Sequence, residues 1–169
     1  MEAWALVKPN NPLQKLTFDL PEPKGTEVIV KVTHCGVCHS DLHNYEGFYD
    51  LGNGKKLRLE DRTTLPVVLG HEILGTVAKL GPDAAEKGVE VGDSRIVYPW
   101  IGCQNCDRCA KENDHICKKA GSLGLMQKGG FSSHVVLPHP KYLLDYGNVD
   151  PTVACTFGKI TPFTKTCQF

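Results

Sequence analysis

The sequence predicts a mainly β fold, a barrel or sandwich of short strands with a few short helices. Three observations carry this prediction. Apolar runs of strand length recur along the chain, and each is closed by Gly, Pro, Asn or Asp. Residues 27–32 alternate, with Val28, Val30 and Val32 on one face and Glu27, Ile29 and Lys31 on the other. The longest apolar stretches are strand-sized, and there is no internal repeat.

Taken in order, residues 1–7 and 14–19 read as an opening pair of strands around Pro9-Asn10-Asn11-Pro12. The alternating strand at 27–32 follows and runs into a Cys- and His-rich segment. Residues 40–45 have the length of one or two helical turns, with Ser40 or Asp41 available as a cap. The polar, basic stretch 52–64 reads as a surface loop or hairpin. Strand composition returns over 66–80, where Gly70 and Gly75 suggest a bulge or a close backbone approach. Gly92-Asp93 turns the chain into a strand ending near Tyr98. Another strand covers 131–137, and Asp150-Pro151 starts a helix that carries Val153, Ala154 and Cys155.

The 169 residues suffice for one domain with a sizeable core. Lys+Arg and Asp+Glu both number 19, so nothing favours nucleic acid or an anionic membrane as a partner. No apolar stretch is long enough to span a bilayer. Met1-Glu2-Ala3-Trp4 shows no basic region followed by an apolar run, so a cytoplasmic location is expected. Six of the eight cysteines fall in two short segments, which favours metal ligation over disulfides.

Cys103-x-x-Cys106-x-x-Cys109 is followed, after seven intervening residues, by Cys117. Four thiolates from one compact lobe close a tetrahedron around zinc and leave no open position. Gln104, Asn105, Asp107 and Arg108 are turn-permissive spacers between them. The rivals are an iron–sulfur cluster and unmetallated thiols. The bacterial ferredoxin run has three residues before its fourth Cys and a Pro after it, whereas seven residues and Lys118 stand here.

The second cluster spans Cys35 to Glu72. Cys38 and His71 with one further ligand would leave a position for water or substrate, as a catalytic zinc requires. Asp41 and Glu72 are carboxylates placed to orient His71 and tune the ion. Ser40 and His43 form a candidate proton path. The rival is a thioredoxin-like pair, Cys35-x-x-Cys38, although the βαβ context it needs is absent.

The motifs 36–43, Gly70-His71-Glu72, Val91-Gly92-Asp93 and the four-cysteine lobe, in this order and spacing, resemble the zinc-dependent alcohol dehydrogenases of the medium-chain dehydrogenase/reductase family. The resemblance runs from Met1 to about Cys155. It implies a GroES-like, partly open β-barrel with short helices and a zinc-binding lobe at about 101–120. It implies two zinc ions, one catalytic at Cys38 and His71 with Glu72 beside them, and one structural at Cys103, Cys106, Cys109 and Cys117. Asp41 would orient His71, Ser40 would meet the substrate oxygen, and His43 would pass its proton outward. His39 would lie near the phosphates of an NAD(P) coenzyme, and Tyr49 and Trp100 would line the substrate pocket. Cys35 matches no ligand position. The third ligand expected is Cys155, within a segment, Thr156 to Pro162, that departs from the family pattern.

The resemblance therefore divides the chain into a catalytic domain, 1–155, and a divergent tail, 156–169. No Gly-x-Gly-x-x-Gly turn is present, so no Rossmann coenzyme domain is expected, and the chain reads as a truncated or altered product. In the full-length family the substrate is a small alcohol or aldehyde and the subunits associate through the coenzyme domain, so a homo-oligomer is expected there. Two other functions compete: a zinc-binding module without dehydrogenase activity, and a thiol redox protein using Cys35 and Cys38.

Overall fold

The computed structural model describes residues 1–85 and 88–159. The strands are β1 (Glu2–Leu6), β2 (Gln14–Thr17), β3 (Val28–Gly36), β4 (Phe48–Asp50), β5 (Lys56–Arg58), β6 (Val67–Val68), β7 (Glu72–Leu80), β8 (Ser94–Val97), β9 (Trp100–Ile101), β10 (Gly121–Ser122), β11 (His134–Leu137) and β12 (Leu143–Leu144). Three short helices interrupt them: α1 (His39–Glu46), α2 (Asp107–Ala110) and α3 (Pro151–Ala154). The mainly β expectation holds.

The largest sheet has the order β11-β3-β7-β8-β12, and a second has the order β2-β1-β6. The two are stitched together by residues 131–133. Trp4 N–H donates to Phe131 O at 2.8 Å, Ser133 N–H donates to Glu2 O at 2.8 Å, and Ala3 bridges Ser132. No closed barrel is seen among the described residues. A hairpin is present but begins before stretch 52–64: β4 pairs with β5, and of the two strands only β5 lies within that stretch.

Strand β3 is buried more fully than its alternation predicts. Val28 and Val30 enter the main core with Ile73, Val77, Val97, Leu137 and Tyr142, but Ile29 on the opposite face is also fully buried. A register shift lies between Ile29 and Val30, and such irregularities re-aim neighbouring side chains. Gly75 permits the close pairing of β7 with β3, since a Cβ there would stand 2.3 Å from Lys31 O. Gly70 ends β6 in one sheet before β7 begins in the other, and its φ of +88° is a conformation that side chains resist.

Helix α3 begins as expected, with Asp150 Oδ1 accepting Thr152 N–H at 2.8 Å and Pro151 in the first turn. A 3-10 segment, Cys155–Lys159, continues it. Ala154 and Cys155 pack against Leu74 and Ile96 on the outer face of β7 and β8. Pro162 and the rest of 160–169 lie outside the described residues. No helix is long and apolar enough to cross a membrane among the described residues.

Candidate metal centres

Strand β3 delivers the chain to the first centre, and β7 leaves from it. Their register sets Gly36 opposite Glu72. A Cβ on Gly36 would stand 2.3 Å from Glu72 Oε2, so the glycine makes room for this buried carboxylate. Cys38 is the N-cap of α1, a place the sequence assigned to Ser40 or Asp41. Asp41 sits three residues further on, and its Oδ2 accepts Cys38 N–H at 2.9 Å. The helix starts here because that carboxylate satisfies an otherwise unpaired N–H of the first turn.

Asp41 also reaches across to the segment before β7. Its Oδ1 accepts Gly70 N–H at 3.0 Å and lies 3.5 Å from His71 Nδ1. Burial would raise its carboxyl, but the bonds from His71, Cys38 and Gly70 outweigh this and hold it below the usual value. Burial likewise lowers the His71 imidazole, and Asp41 and Cys38 more than reverse that, leaving it raised. With Nδ1 facing Asp41, Nε2 is the ring nitrogen left to serve as a ligand. Cys38, His71 and Glu72 each offer a donor atom, and these lie within 4.8 Å of one another. Ser40 Oγ stands beside them, 3.1 Å from Cys38 Sγ and 3.3 Å from His71 Nε2.

The outer side of α1 carries the remaining candidates. The His43 ring lies 4.4 Å from His39 and 4.9 Å from Tyr49, centroid to centroid, and its Nδ1 is 3.6 Å from Glu46. Tyr49 OH donates to Ser40 O at 3.3 Å, which brings it to the site. Trp100 lies on β9, in a ribbon with β10. Cys155 is buried, donates to Thr152 O at 3.3 Å, and does not belong to the donor group. The Cys35 thiol is pushed up to about 12, first by burial and then by the Asp41 charge. A thiol held protonated makes a poor nucleophile, which argues against a redox pair with Cys38.

The second centre is the lobe. Cys103, Cys106, Cys109 and Cys117 place their sulfurs within 4.8 Å of one another. Sγ of Cys106 is 3.6 Å from that of Cys109 and 3.8 Å from that of Cys117. Sulfurs at tetrahedral corners about 2.3 Å from zinc are about 3.8 Å apart, so the set fits the ion as it stands. These separations are too long for disulfides. An iron–sulfur cluster divides its four cysteines among two or four irons and would spread them further. Backbone N–H groups of Cys103 and Lys119 point at Cys117 Sγ, at 3.5 and 3.4 Å. These bonds bring the Cys117 thiol down to about 6, whereas burial pushes Cys109 up to about 12. Gly102 leaves the space, since a Cβ there would stand 2.6 Å from Cys109 Sγ.

Sequence reasoning missed the lobe's anchor. The buried Asp114 accepts from Tyr142 OH at 2.8 Å and from Lys141 Nζ at 3.0 Å, and Tyr142 OH accepts Gly102 N–H at 3.2 Å. These bonds tie the lobe to the main core, where Tyr142 is buried. The available signal was an acid within the lobe, three residues before its last cysteine.

Comparison with known proteins bears on the fold that carries these centres. The family model of the alcohol dehydrogenase GroES-like domain matches residues 24–146. An NAD-dependent alcohol dehydrogenase of Sulfurisphaera tokodaii is 38% identical over 144 residues, covering 85% of this chain and 40% of the relative. The crystal structure of a D-arabinose dehydrogenase from Sulfolobus solfataricus superposes with a TM-score of 0.72 at 28% identity, over 94% of this chain and 44% of that one. A thermostable alcohol dehydrogenase from Pyrobaculum aerophilum, solved with cobalt and zinc bound, gives 0.74 at 25% identity, with 94% and 44% covered. The chain thus spans about 40% of the length of the curated relatives it matches.

Proposed function

The chain belongs to the alcohol dehydrogenase family through its GroES-like domain, and from that premise we propose that it supplies the zinc-holding half of a hydride-transfer site for a small alcohol or its carbonyl counterpart. The observation that carries this reading is the meeting of Cys38, His71 and Glu72 within 4.8 Å, with the Ser40 hydroxyl beside them. Residues 1–155 would be the catalytic unit, the lobe its structural metal site, and 156–169 the tail. A nicotinamide coenzyme, NAD or NADP, would take or give the hydride, as the relatives' names suggest. Substrate and coenzyme would both be small molecules.

Zinc, when bound at the first centre, would polarise the substrate oxygen. Cys38, His71 and Glu72 would hold it, with the third place given to Glu72 because Cys155 stands outside the gathered donors. Asp41 keeps His71 Nδ1 engaged so that Nε2 is presented to the ion. Ser40 would bond the substrate hydroxyl and receive its proton. His43, on the same helix, would carry that proton outward, and His39, exposed on α1, would face the coenzyme. A second zinc at Cys103, Cys106, Cys109 and Cys117 would be structural, since four thiolates leave no open position.

The test is metal analysis of the purified chain. Two zinc ions per chain are expected, with one lost in Cys38→Ala and in His71→Ala. One zinc that survives both substitutions would leave a lobe-only zinc module and overturn the dehydrogenase reading.

A further inference from the structure

His71 lies between two sheets and in neither. Strand β6 ends at Val68 and β7 begins at Glu72. The backbone in between has no strand ladder of its own, so other groups hold it. Asp41 takes Gly70 N–H. The loop 124–131 takes the carbonyls: Gly129 N–H donates to Val68 O at 2.9 Å, Gly130 N–H to Gly70 O at 2.8 Å, and Phe131 N–H to Leu69 O at 3.0 Å.

This contact leaves no room for side chains. A Cβ on Gly129 would stand 2.2 Å from Gly70 O and 2.4 Å from Leu69 O, and one on Gly124 would be 2.8 Å from Gly70 O. Behind the loop, the Cys35 sulfur fills the angle between two glycines. It would be 2.8 Å from a Cβ on Gly70 and 2.6 Å from one on Gly130. Real Cβ contacts are never this short, and the groups met at Gly129 are backbone, which cannot swing aside.

We infer that the 124–131 loop, through Gly129 and Gly130 with Cys35 behind them, is a positioning element for His71. It holds the Gly70–His71 peptide where the imidazole meets Cys38 and Glu72. The inference rests on the zinc reading proposed above. It also gives Cys35 a role without redox or ligand chemistry: a small side chain that fills the space between Gly70 and Gly130.

The experiment uses the full chain loaded with zinc and a competing chelator that resolves two sites. Gly129→Ala is expected to weaken the His71 site by about 10–100-fold while leaving the lobe site unchanged, the range typical when ligand-supporting groups are lost. Gly81→Ala is the control, because its Cβ would stand 2.4 Å from Gly25 O, at the far end of β7. It should lower the melting temperature with both metal affinities intact. Equal affinities in Gly129→Ala and wild type, or equal losses in the two variants, would overturn the inference. If Gly129→Ala does not fold, Cys35→Ala decides, with several-fold weaker binding at the His71 site expected and unchanged binding overturning it. His71→Ala separates the two levels: retention of both metals there refutes the zinc reading itself, whereas loss of one metal beside an unaffected Gly129→Ala refutes only the role of the loop.

Discussion

Asp41 Oδ1 stands 3.5 Å from His71 Nδ1 and also accepts Gly70 N–H at 3.0 Å, while Oδ2 of the same carboxylate accepts Cys38 N–H at 2.9 Å. One buried side chain thus sets the position of two candidate ligands that are far apart in sequence. Asp41→Asn keeps the shape but replaces one acceptor oxygen with a donor. The expected result is about 10–100-fold weaker zinc at this centre with the lobe metal retained. Stability should fall by about 1–3 kcal/mol, because one backbone N–H loses its acceptor. Chelator competition and urea unfolding measure the two effects separately.

Glu72 and Cys155 are rivals for the third ligand position. Glu72 shares the donor group with Cys38 and His71, and Cys155 bonds to Thr152 O instead. Cys155→Ala is therefore expected to keep two zinc ions per chain and lose about 1 kcal/mol from its small buried contact. Glu72→Gln should bring the count down to one. The opposite pattern in metal analysis would give the position to Cys155.

The four sulfurs of the lobe converge within 4.8 Å of one another. Cys117→Ser should remove one zinc and loosen residues 101–120, because a site of this kind contributes folding energy through its metal. Amide hydrogen exchange is the measurement. Protection in the lobe should be lost, while β3 and β7 in the main core keep theirs.

Asp114 makes the attachment of the lobe pH-dependent. Burial would raise its carboxyl, but Lys141 and Tyr142 outweigh burial and hold it below the usual carboxylate value. A depressed carboxylate contributes stability that is present above its unfolded value and lost as pH falls through its folded one. Asp114→Asn should thus cost about 1–3 kcal/mol at pH 7. The difference between wild type and variant should shrink below about pH 4. Urea midpoints at the two pH values test this, and a difference that does not change with pH would refute it.

Local chemistry was legible in the sequence. Pro151 after Asp150 predicted the start of α3, and the turn residues at 52–54 marked the loop between β4 and β5, although the first of these strands lies before it. The lobe could be read from spacing because all four cysteines lie within fifteen residues, and a short chain has few ways to arrange them. The alternation over 27–32 predicts one covered face in β3, and the fully buried Ile29 departs from it. Alternation reports one covered face, but it cannot show that a second element will cover the other.

The sequence by itself determined the donor types, the order of the motifs and the mainly β class, because periodicity and spacing act over a few residues. Only the tertiary structure decided that Gly36 makes room for Glu72, that the Cys35 sulfur lies against Gly70 and Gly130, and that Asp114 and Tyr142 moor the lobe. Each of these depends on pairs brought together across the chain: Gly36 with Glu72, Gly70 with Gly130, Asp114 with Tyr142. Such pairs are set by sheet register and by contacts too close for a Cβ, and neither leaves a periodic trace in the sequence.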